Sequence, residues 1–137
     1  MKLFWDTNVM FDFLGERDPF YISAAKIATL ADKGEVKIIA SALSYATISY
    51  FLTKYEGVKK TKDKLRKFKV ISEVCELDEL IIEKGLNSDF QDFEDSLQYF
   101  SALKSECNIL ITRNGKDFKK SQIPIMTPDE FLNSIKK

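Results

Sequence analysis

Short apolar segments alternate with longer segments of helical periodicity along this chain, and this alternation restricts the folds that it can adopt. Apolar residues dominate segments 3–5, 36–40, 70–74, 109–111 and 123–126, which we predict to be strands. Apolar residues at helical spacing predict helices after Asp6, over about 21–33, 41–55, 77–86 and 92–105, and again after Gly57 and Thr127. Strands that alternate with helices form a parallel sheet with helices on both faces, so we predict an α/β fold.

The length of the chain suits one domain. Its 137 residues, 45% of them hydrophobic, can fill a single core, and neither a linker nor a repeat divides the sequence, so we expect residues 1–137 to form a single domain. No apolar run is long enough to cross a membrane, and Asp6 interrupts the first apolar stretch too early for a secretory signal. Cys75 and Cys107 are far apart and indicate core residues in a reducing compartment. We therefore expect a cytoplasmic protein without membrane contact.

Histidine is absent from the sequence. This absence excludes Ser-His-Asp and Cys-His catalysis and any zinc site with histidine ligands. Acid–base or metal chemistry would therefore depend on carboxylates, lysine, tyrosine or a metal-bound water.

Acidic residues stand near the points where strands and helices meet. Asp6 directly follows the first strand, and Asp117 follows the strand at 109–111. Asp92 and Asp95 are three apart at the start of a helix, so they share one face, which we expect to lie opposite the apolar stripe together with Ser96 and Tyr99. Ligands of open parallel sheets bind at the carboxyl ends of the strands, so the acidic side chains are predicted to converge there.

Converging carboxylates repel each other unless protons or a cation compensate their charge, and oxygen ligands suit Mg²⁺ or Mn²⁺. Each residue also has a purely structural interpretation. Asp6 and Asp92 can cap helices, Asp95 can favour the positive end of a helix, and Thr112 and Asn114 can stabilise a turn. The sequence leaves both interpretations open for any one residue, and their coincidence at strand ends favours a metal site.

Charge is unevenly distributed although the formal net charge is zero. Segment 54–69 contains eight basic and two acidic side chains, whereas segment 73–95 contains nine acidic ones. A basic flank beside an acidic cluster suits a metal site that acts on a polyanion. Two solvated helix faces would give the same pattern.

Three segments of the chain, taken in order, resemble the PIN-domain family. They are Asp6-Thr7-Asn8 after the first strand, Asp92-Phe93-Glu94-Asp95-Ser96-Leu97 at the start of a late helix, and Ile111-Thr112-Arg113-Asn114-Gly115-Lys116-Asp117-Phe118 near the end. The resemblance also covers the size of the chain and the order of its elements. It implies a three-layer α/β/α sandwich with a central parallel sheet of four to five strands.

The same resemblance implies a metal-dependent endoribonuclease, similar to the VapC-type toxins of bacterial toxin–antitoxin pairs, that hydrolyses RNA phosphodiesters with water activated by Mg²⁺ or Mn²⁺. Asp6 matches the first acidic ligand and Asp95 the third. The fourth acidic position falls on Asn114, so Asp117 is expected to replace it, with Asp92 as a further metal ligand. The implied partners are RNA, an antitoxin protein and a second copy of the chain. The side chains expected to line the site are Asn8, Thr47, Thr112 and Asn114, and those expected to bind RNA are Lys59, Lys60, Lys62, Arg113 and Lys116.

One position departs from the family pattern. The family usually carries a glutamate on the helix after the second strand, within Ser-x-x-x-x-x-Glu; here Ser41 matches the start and Thr47 stands at the glutamate position. A hydroxyl is a poorer Mg²⁺ ligand than a carboxylate. A catalytically impaired PIN fold that acts as an RNA-binding or protein-interaction module is therefore the alternative. A phosphohydrolase with Asp6 as nucleophile is a weaker one, because its usual partner aspartate is here Asn8.

Overall fold

The structure is a computed structural model that describes residues 1–136, and its strands and helices alternate as the sequence predicts. The strands are β1 (Lys2–Trp5), β2 (Lys37–Ser41), β3 (Ser72–Cys75), β4 (Ile109–Ile111) and β5 (Ile125–Met126). The α-helices are α1 (Thr7–Leu14), α2 (Tyr21–Asp32), α3 (Ala42–Glu56), α4 (Val58–Val70), α5 (Glu79–Leu86), α6 (Phe93–Lys104) and α7 (Pro128–Ser134), and a 3-10 helix covers Gly115–Phe118.

The five strands form one parallel sheet in the order β3-β2-β1-β4-β5. The chain builds β2 and β3 on one side of β1 and then crosses to place β4 and β5 on the other side. The strand order therefore reverses between β1 and β4, which is where open α/β sheets bind their ligands. Trp5 pairs with Ile111 at the carboxyl ends of these two strands, so the residues that follow them begin side by side.

Successive residues of β1 face opposite sides of the sheet, and each side has its own apolar core. Leu3 and Trp5 pack with buried residues of α1, α2, α3, α4 and α7 on one side. Phe4 packs with Tyr99 and Ala102 of α6 on the other side. The sheet is thus the middle of three layers, which confirms the α/β/α architecture and the parallel sheet of up to five strands.

Several element boundaries lie later than the sequence predicts, among them the starts of β3 and α5. Helix α4 continues to Val70, so β3 begins at Ser72. Helix α5 begins at Glu79 because the carboxylate of Asp78 accepts a hydrogen bond from the backbone amide of Ile81 (2.9 Å) and caps it. No helix within residues 1–136 is both long enough and apolar enough to span a membrane.

Ser96 and Tyr99, which are predicted to lie on the face of α6 opposite its apolar stripe, are not on a solvent-facing side of the helix. Both side chains are buried, whereas Phe93, which belongs to the predicted apolar stripe, is 44% exposed. Helix α6 contacts α5 as well as the sheet, so most of its surface is covered. A helix that is covered on two sides buries polar residues that a one-sided amphipathic pattern would assign to solvent.

An aromatic cluster joins α4 to the central strand. The ring of Phe68, which is 1% exposed, lies with its centroid 5.6 Å from Trp5, 6.2 Å from Phe13 and 6.0 Å from Tyr45. These three partners belong to β1, α1 and α3. Phe68 therefore connects four elements through one side chain.

We predict that Phe68→Ala lowers the free energy of unfolding by about 3–5 kcal/mol, because it leaves a cavity among four packed elements. The measurement is urea denaturation followed by circular dichroism. Val70→Ala is the matched control: Val70 lies two residues further on the same helix but is 83% exposed, so the change should stay within about 0.5 kcal/mol. Equal losses for the two variants would contradict the packing.

Candidate active site

Asp6 occupies the point where the strand order reverses. Its backbone amide donates to the carbonyl oxygen of Ile111 (2.9 Å), which continues the pairing of β1 with β4 by one residue. Its side chain caps α1 by accepting a hydrogen bond from the backbone amide of Thr7 (2.8 Å). Asp6 is only 5% exposed. The same side chain therefore caps α1 and lies buried at the strand reversal, so the two interpretations of Asp6 do not exclude each other.

Two polar residues predicted to line the site contact Asp6 directly. The hydroxyl of Thr112 donates to Oδ2 of Asp6 (2.8 Å), and Nδ2 of Asn8 lies 3.4 Å from the same oxygen. Asn8 also donates to the Thr112 hydroxyl (3.1 Å) and accepts from the backbone amide of Arg113 (3.3 Å). These bonds fasten the segment after β4 to the start of α1.

Gln98 is a site residue that sequence reasoning missed. It lies on α6, three residues after Asp95, and is 1% exposed. Its Nε2 atom lies 3.3 Å from Oδ1 of Asp6, 2.8 Å from the hydroxyl of Thr7 and 2.8 Å from that of Ser44. A glutamine within a helix has ordinary helix propensity, so no sequence signal distinguishes this one from a solvent-exposed residue.

The α3 side chain that hydrogen-bonds to these residues is that of Ser44, three residues before Thr47. The Ser44 hydroxyl lies 2.7 Å from the Thr7 hydroxyl. The backbone amide of Ser44 donates to the hydroxyl of Ser41 (3.1 Å), and Ser41 thereby caps α3. Thr47 is half-buried one turn further along the helix. Helix α3 thus presents hydroxyl groups, and no carboxylate, to the partners of Asp6.

The acidic residues of α6 stand at its amino-terminal end. Asp92 caps the helix, since its carboxylate accepts from the backbone amide of Asp95 (3.0 Å). Asp95 is half-buried, and Glu94 is exposed. Partial burial of its carboxyl, followed by the charges of Asp92 and Asp6, raises the pKa of Glu94. Glu94 therefore belongs to the electrostatic environment of the site, although its position on the helix predicts simple solvation.

An open cleft of about 430 Å³ lies beside these carboxylates. Asp92, Asp95 and Asp117 all line it, and Asp117 enters from the 3-10 helix. Three lysines, Lys116, Lys119 and Lys120, share the lining. The lining of the cleft therefore combines acidic side chains with basic side chains from one short segment, 116–120.

Mutual repulsion of the carboxylates is strong at this site. Burial, then the charges of Asp6, Asp92, Asp117 and Glu94, raises the pKa of Asp95 to about 7. Burial also raises the pKa of Asp6, although the hydrogen bonds from Thr112, Thr7 and Gln98 act in the opposite direction. Within residues 1–136, none of these carboxylates forms an ion pair with a lysine or arginine.

The structure brings together only part of the predicted RNA-binding set. Lys116 lines the cleft, whereas Lys59, Lys60 and Lys62 are exposed on α4 and are not among its lining residues. Asn114 is exposed and precedes the 3-10 helix.

Arg113 has internal partners. Its guanidinium pairs with the buried carboxylate of Asp12 (Nε to Oδ2, 2.6 Å) and lies 4.0 Å from the ring centroid of Phe20. This ion pair anchors the segment after β4 to α1, and a contact of Arg113 with RNA stays a prediction.

The donor set fits a hard divalent cation. The candidate ligands Asp6, Asp95 and Asp117 offer only oxygen atoms, as Mg²⁺ and Mn²⁺ prefer. Within residues 1–136, no three acidic side chains stand close enough to hold one ion by direct contact alone. Mg²⁺ commonly retains several waters and uses one or two protein carboxylates. A cation would favour the ionised form of Asp95, which burial and then the neighbouring carboxylates disfavour.

Comparison with known proteins identifies the class to which this fold and site belong. The PIN domain family model matches residues 2–116. The chain is also 30% identical over 138 aligned positions to Ribonuclease VapC1 of Aquifex aeolicus (strain VF5), and the alignment covers 95% of this chain and 92% of that protein. The chain belongs to the PIN-domain family.

Solved structures share the fold. VapBC2 from Rickettsia felis bound to a DNA fragment from their promoter superimposes with a TM-score of 0.67 at 19% identity, over 92% of this chain and 97% of the other. A toxin–antitoxin complex from Klebsiella pneumoniae gives a TM-score of 0.67 at 21% identity, over the same 92% and 97%. At these identities the likeness concerns the fold.

We predict that the metal-free protein becomes less stable as the pH rises from 5 to 8. The pKa of Asp95 is about 7 in the folded protein against 3.8 for the unperturbed group, so the folded state holds this proton more tightly and loses stability as it dissociates. The Asp95→Asn side chain cannot ionise, so the stability of this variant relative to the wild type should rise across this range by on the order of 1 kcal/mol, because solvent screens part of the effect at the half-buried carboxyl.

The measurement is denaturant unfolding in EDTA at several pH values. Asp32→Asn, which changes an exposed carboxylate in the last turn of α2, should keep the pH dependence of the wild type. A parallel pH dependence for wild type and Asp95→Asn would contradict the elevated pKa of Asp95.

Proposed function

We propose that the chain is a PIN-type endoribonuclease that depends on Mg²⁺ or Mn²⁺, and that it is the toxin of a toxin–antitoxin pair. The observation that carries this proposal is a cleft lined by Asp95, Asp117 and three lysines, next to the buried Asp6, whose charge acts on Asp95. The 30% identity with a ribonuclease over most of both chains supports RNA as the substrate.

Asp6, Asp95 and Asp117 would hold the cation, directly or through water, with Asp92 as an outer ligand. When bound, the cation would activate water and stabilise negative charge on the scissile phosphate. Asp6 is fixed from four directions by neutral hydrogen-bond donors, whereas Asp95 and Asp117 line the open cleft. The inner carboxylate would therefore set the position of the ion, and the outer two would face the substrate.

Lysines of segment 116–120 would bind the RNA backbone next to the acidic site. Lys116, Lys119 and Lys120 line the same cleft as Asp95 and Asp117. Within residues 1–136, only Lys120 of these three forms an ion pair, with Asp89 at 3.8 Å. Phosphate contacts of this kind position the strand without reading its sequence. The lysines Lys59, Lys60 and Lys62 of α4 remain predicted contacts for more distant phosphates.

We also propose an antitoxin protein as partner, because a structure with this fold is a toxin–antitoxin complex. A homodimer and a single folding domain over residues 1–137 are further proposals from the family resemblance. Analytical ultracentrifugation tests the homodimer. A single cooperative unfolding transition, seen by both fluorescence and circular dichroism, tests the single domain.

We predict that the purified protein cleaves RNA with Mg²⁺ or Mn²⁺ and that EDTA abolishes cleavage. Asp6→Asn, Asp95→Asn and Asp117→Asn should each lower the cleavage rate by about 100-fold or more, because each removes a carboxylate from the cation site. The assay uses structured and unstructured RNAs with gel separation of the products. Asp32→Asn, remote from the cleft, should cleave like the wild type.

Two results would favour other functions. Cleavage that persists in EDTA or in Asp6→Asn would rule out the proposed metal site. Absence of cleavage under every condition, with RNA binding retained, would favour the catalytically impaired module. That alternative is motivated by Thr47 and Asn114, which stand where the family usually has acidic residues.

The lysines of the cleft give a separate prediction about salt dependence. The double variant Lys116→Ala/Lys119→Ala should weaken RNA binding and reduce the slope of log K against log salt by about 0.7 for each phosphate of a single strand that the lysines no longer neutralise. Fluorescence anisotropy at several salt concentrations measures this slope. Lys26→Ala, an exposed lysine of α2, is the control, and equal slopes for all three proteins would contradict the role of the cleft lysines.

A further inference from the structure

A buried polar network surrounds the side of Asp6 that faces α3. It consists of Thr7, Ser41, Ser44 and Gln98, and we refer to it as the Gln98 network. All of its hydrogen bonds are between side chains or cap a helix: Gln98 Nε2 contacts Thr7, Ser44 and Asp6, and Gln98 Oε1 accepts from the Ser41 hydroxyl (2.6 Å). Ser41 and Ser44 are completely buried, and Gln98 is 1% exposed.

The chemistry of the neighbours fixes the orientation of the Gln98 amide. The carboxylate of Asp6 can only accept hydrogen bonds when ionised, so the nitrogen of the amide must face it. The hydroxyls can donate or accept, and the contacts between Thr7 and Ser44 (2.7 Å) and between Ser41 and Ser44 (3.2 Å) adjust to that choice. The amide nitrogen is therefore directed at Asp6, Thr7 and Ser44, and its two N–H groups are shared among these three acceptors.

The network also relates Asp6 to Asp95. Gln98 and Asp95 are three residues apart on α6, so they lie on neighbouring positions of one helix surface. The Gln98 amide contacts Asp6, while Asp95 lines the cleft. The hydrogen bond from Gln98 thus sets the position of one helix turn of α6 relative to the end of β1.

We propose that Gln98 is a positioning residue of the cation site. Its amide holds Asp6 from the α3 side, so that the carboxylate faces Asp95 and Asp117. Helix α3 then contributes hydroxyl groups to this network and no metal ligand. This inference rests on the proposed metal-dependent function. A neutral amide suits this location because a further buried carboxylate would add to the repulsion around Asp6.

The test is Gln98→Met, which keeps a side chain of similar length but removes every hydrogen bond of the amide. Partners that orient a metal ligand typically change metal affinity or activity by about 10- to 100-fold when removed. We expect the Mn²⁺ dissociation constant, measured by isothermal titration calorimetry, to rise at least about tenfold, with kcat for RNA lower at saturating Mn²⁺. KM for RNA should stay unchanged, because the cleft lysines are untouched.

Ser101→Ala is the matched control. Ser101 is completely buried on the same helix, one turn beyond Gln98, and its hydroxyl has no hydrogen-bond partner within residues 1–136. It should leave the Mn²⁺ affinity, kcat and KM at their wild-type values. If Gln98→Met does not fold, the double variant Ser41→Ala/Ser44→Ala replaces it, because it frees the amide while retaining Gln98, and it should weaken Mn²⁺ binding in the same direction.

The outcomes separate the two proposals. Wild-type Mn²⁺ affinity and kcat in Gln98→Met, or in the serine double variant where that replaces it, would overturn the positioning role and leave the nuclease function in place. A lower unfolding temperature with unchanged Mn²⁺ affinity would also overturn it, since a purely structural residue behaves in that way. A wild-type protein that neither binds Mn²⁺ nor cleaves RNA would overturn the proposed function, and the positioning role with it.

Discussion

The parallel pairing of β1 with β4, in register at their carboxyl ends, is the constraint on which the rest of the site depends. Because Trp5 pairs with Ile111, Asp6 and Thr112 leave the sheet as neighbours and join through a 2.8 Å hydrogen bond. The strand order reverses at this same place, so no crossover helix covers the gap between the two strands. A slip of one residue in this register would turn every side chain of one strand to the opposite face and would separate the pair.

Burial divides the acidic residues of the candidate site into two groups. Asp6 lies inside and is surrounded by neutral donors, which stabilise its charge only in part, since burial still raises its pKa. Asp95 and Asp117 line the open cleft, and burial together with the neighbouring carboxylates raises the pKa of Asp95 to about 7. Neutral donors fix a carboxylate without removing its charge, so the cluster retains the negative potential that a divalent cation requires.

Local patterns predicted most of the fold. Helical periodicity predicted where helices begin, and the side chains of Ser41, Asp92 and Thr127 cap helices at these predicted starts. Such starts are predictable because a cap depends on residues only a few positions away. The same locality explains the errors on α6, where contacts on two sides bury residues that periodicity assigns to solvent. The internal partner of Arg113 is Asp12, 101 residues earlier, and no local pattern connects the two.

By itself, the sequence determined the alternation of strands and helices, the absence of histidine chemistry and the presence of acidic residues just after strands. Its family resemblance assigned Asp6 and Asp95 to one site. Only the tertiary structure decided which carboxylate is buried, that Ser44 and Gln98 accompany it, and that lysines of segment 116–120 share the cleft. The physical reason is distance along the chain: Asp6 meets Gln98 and Thr112 across 92 and 106 residues, and such contacts exist only once the sheet has brought its strand ends together.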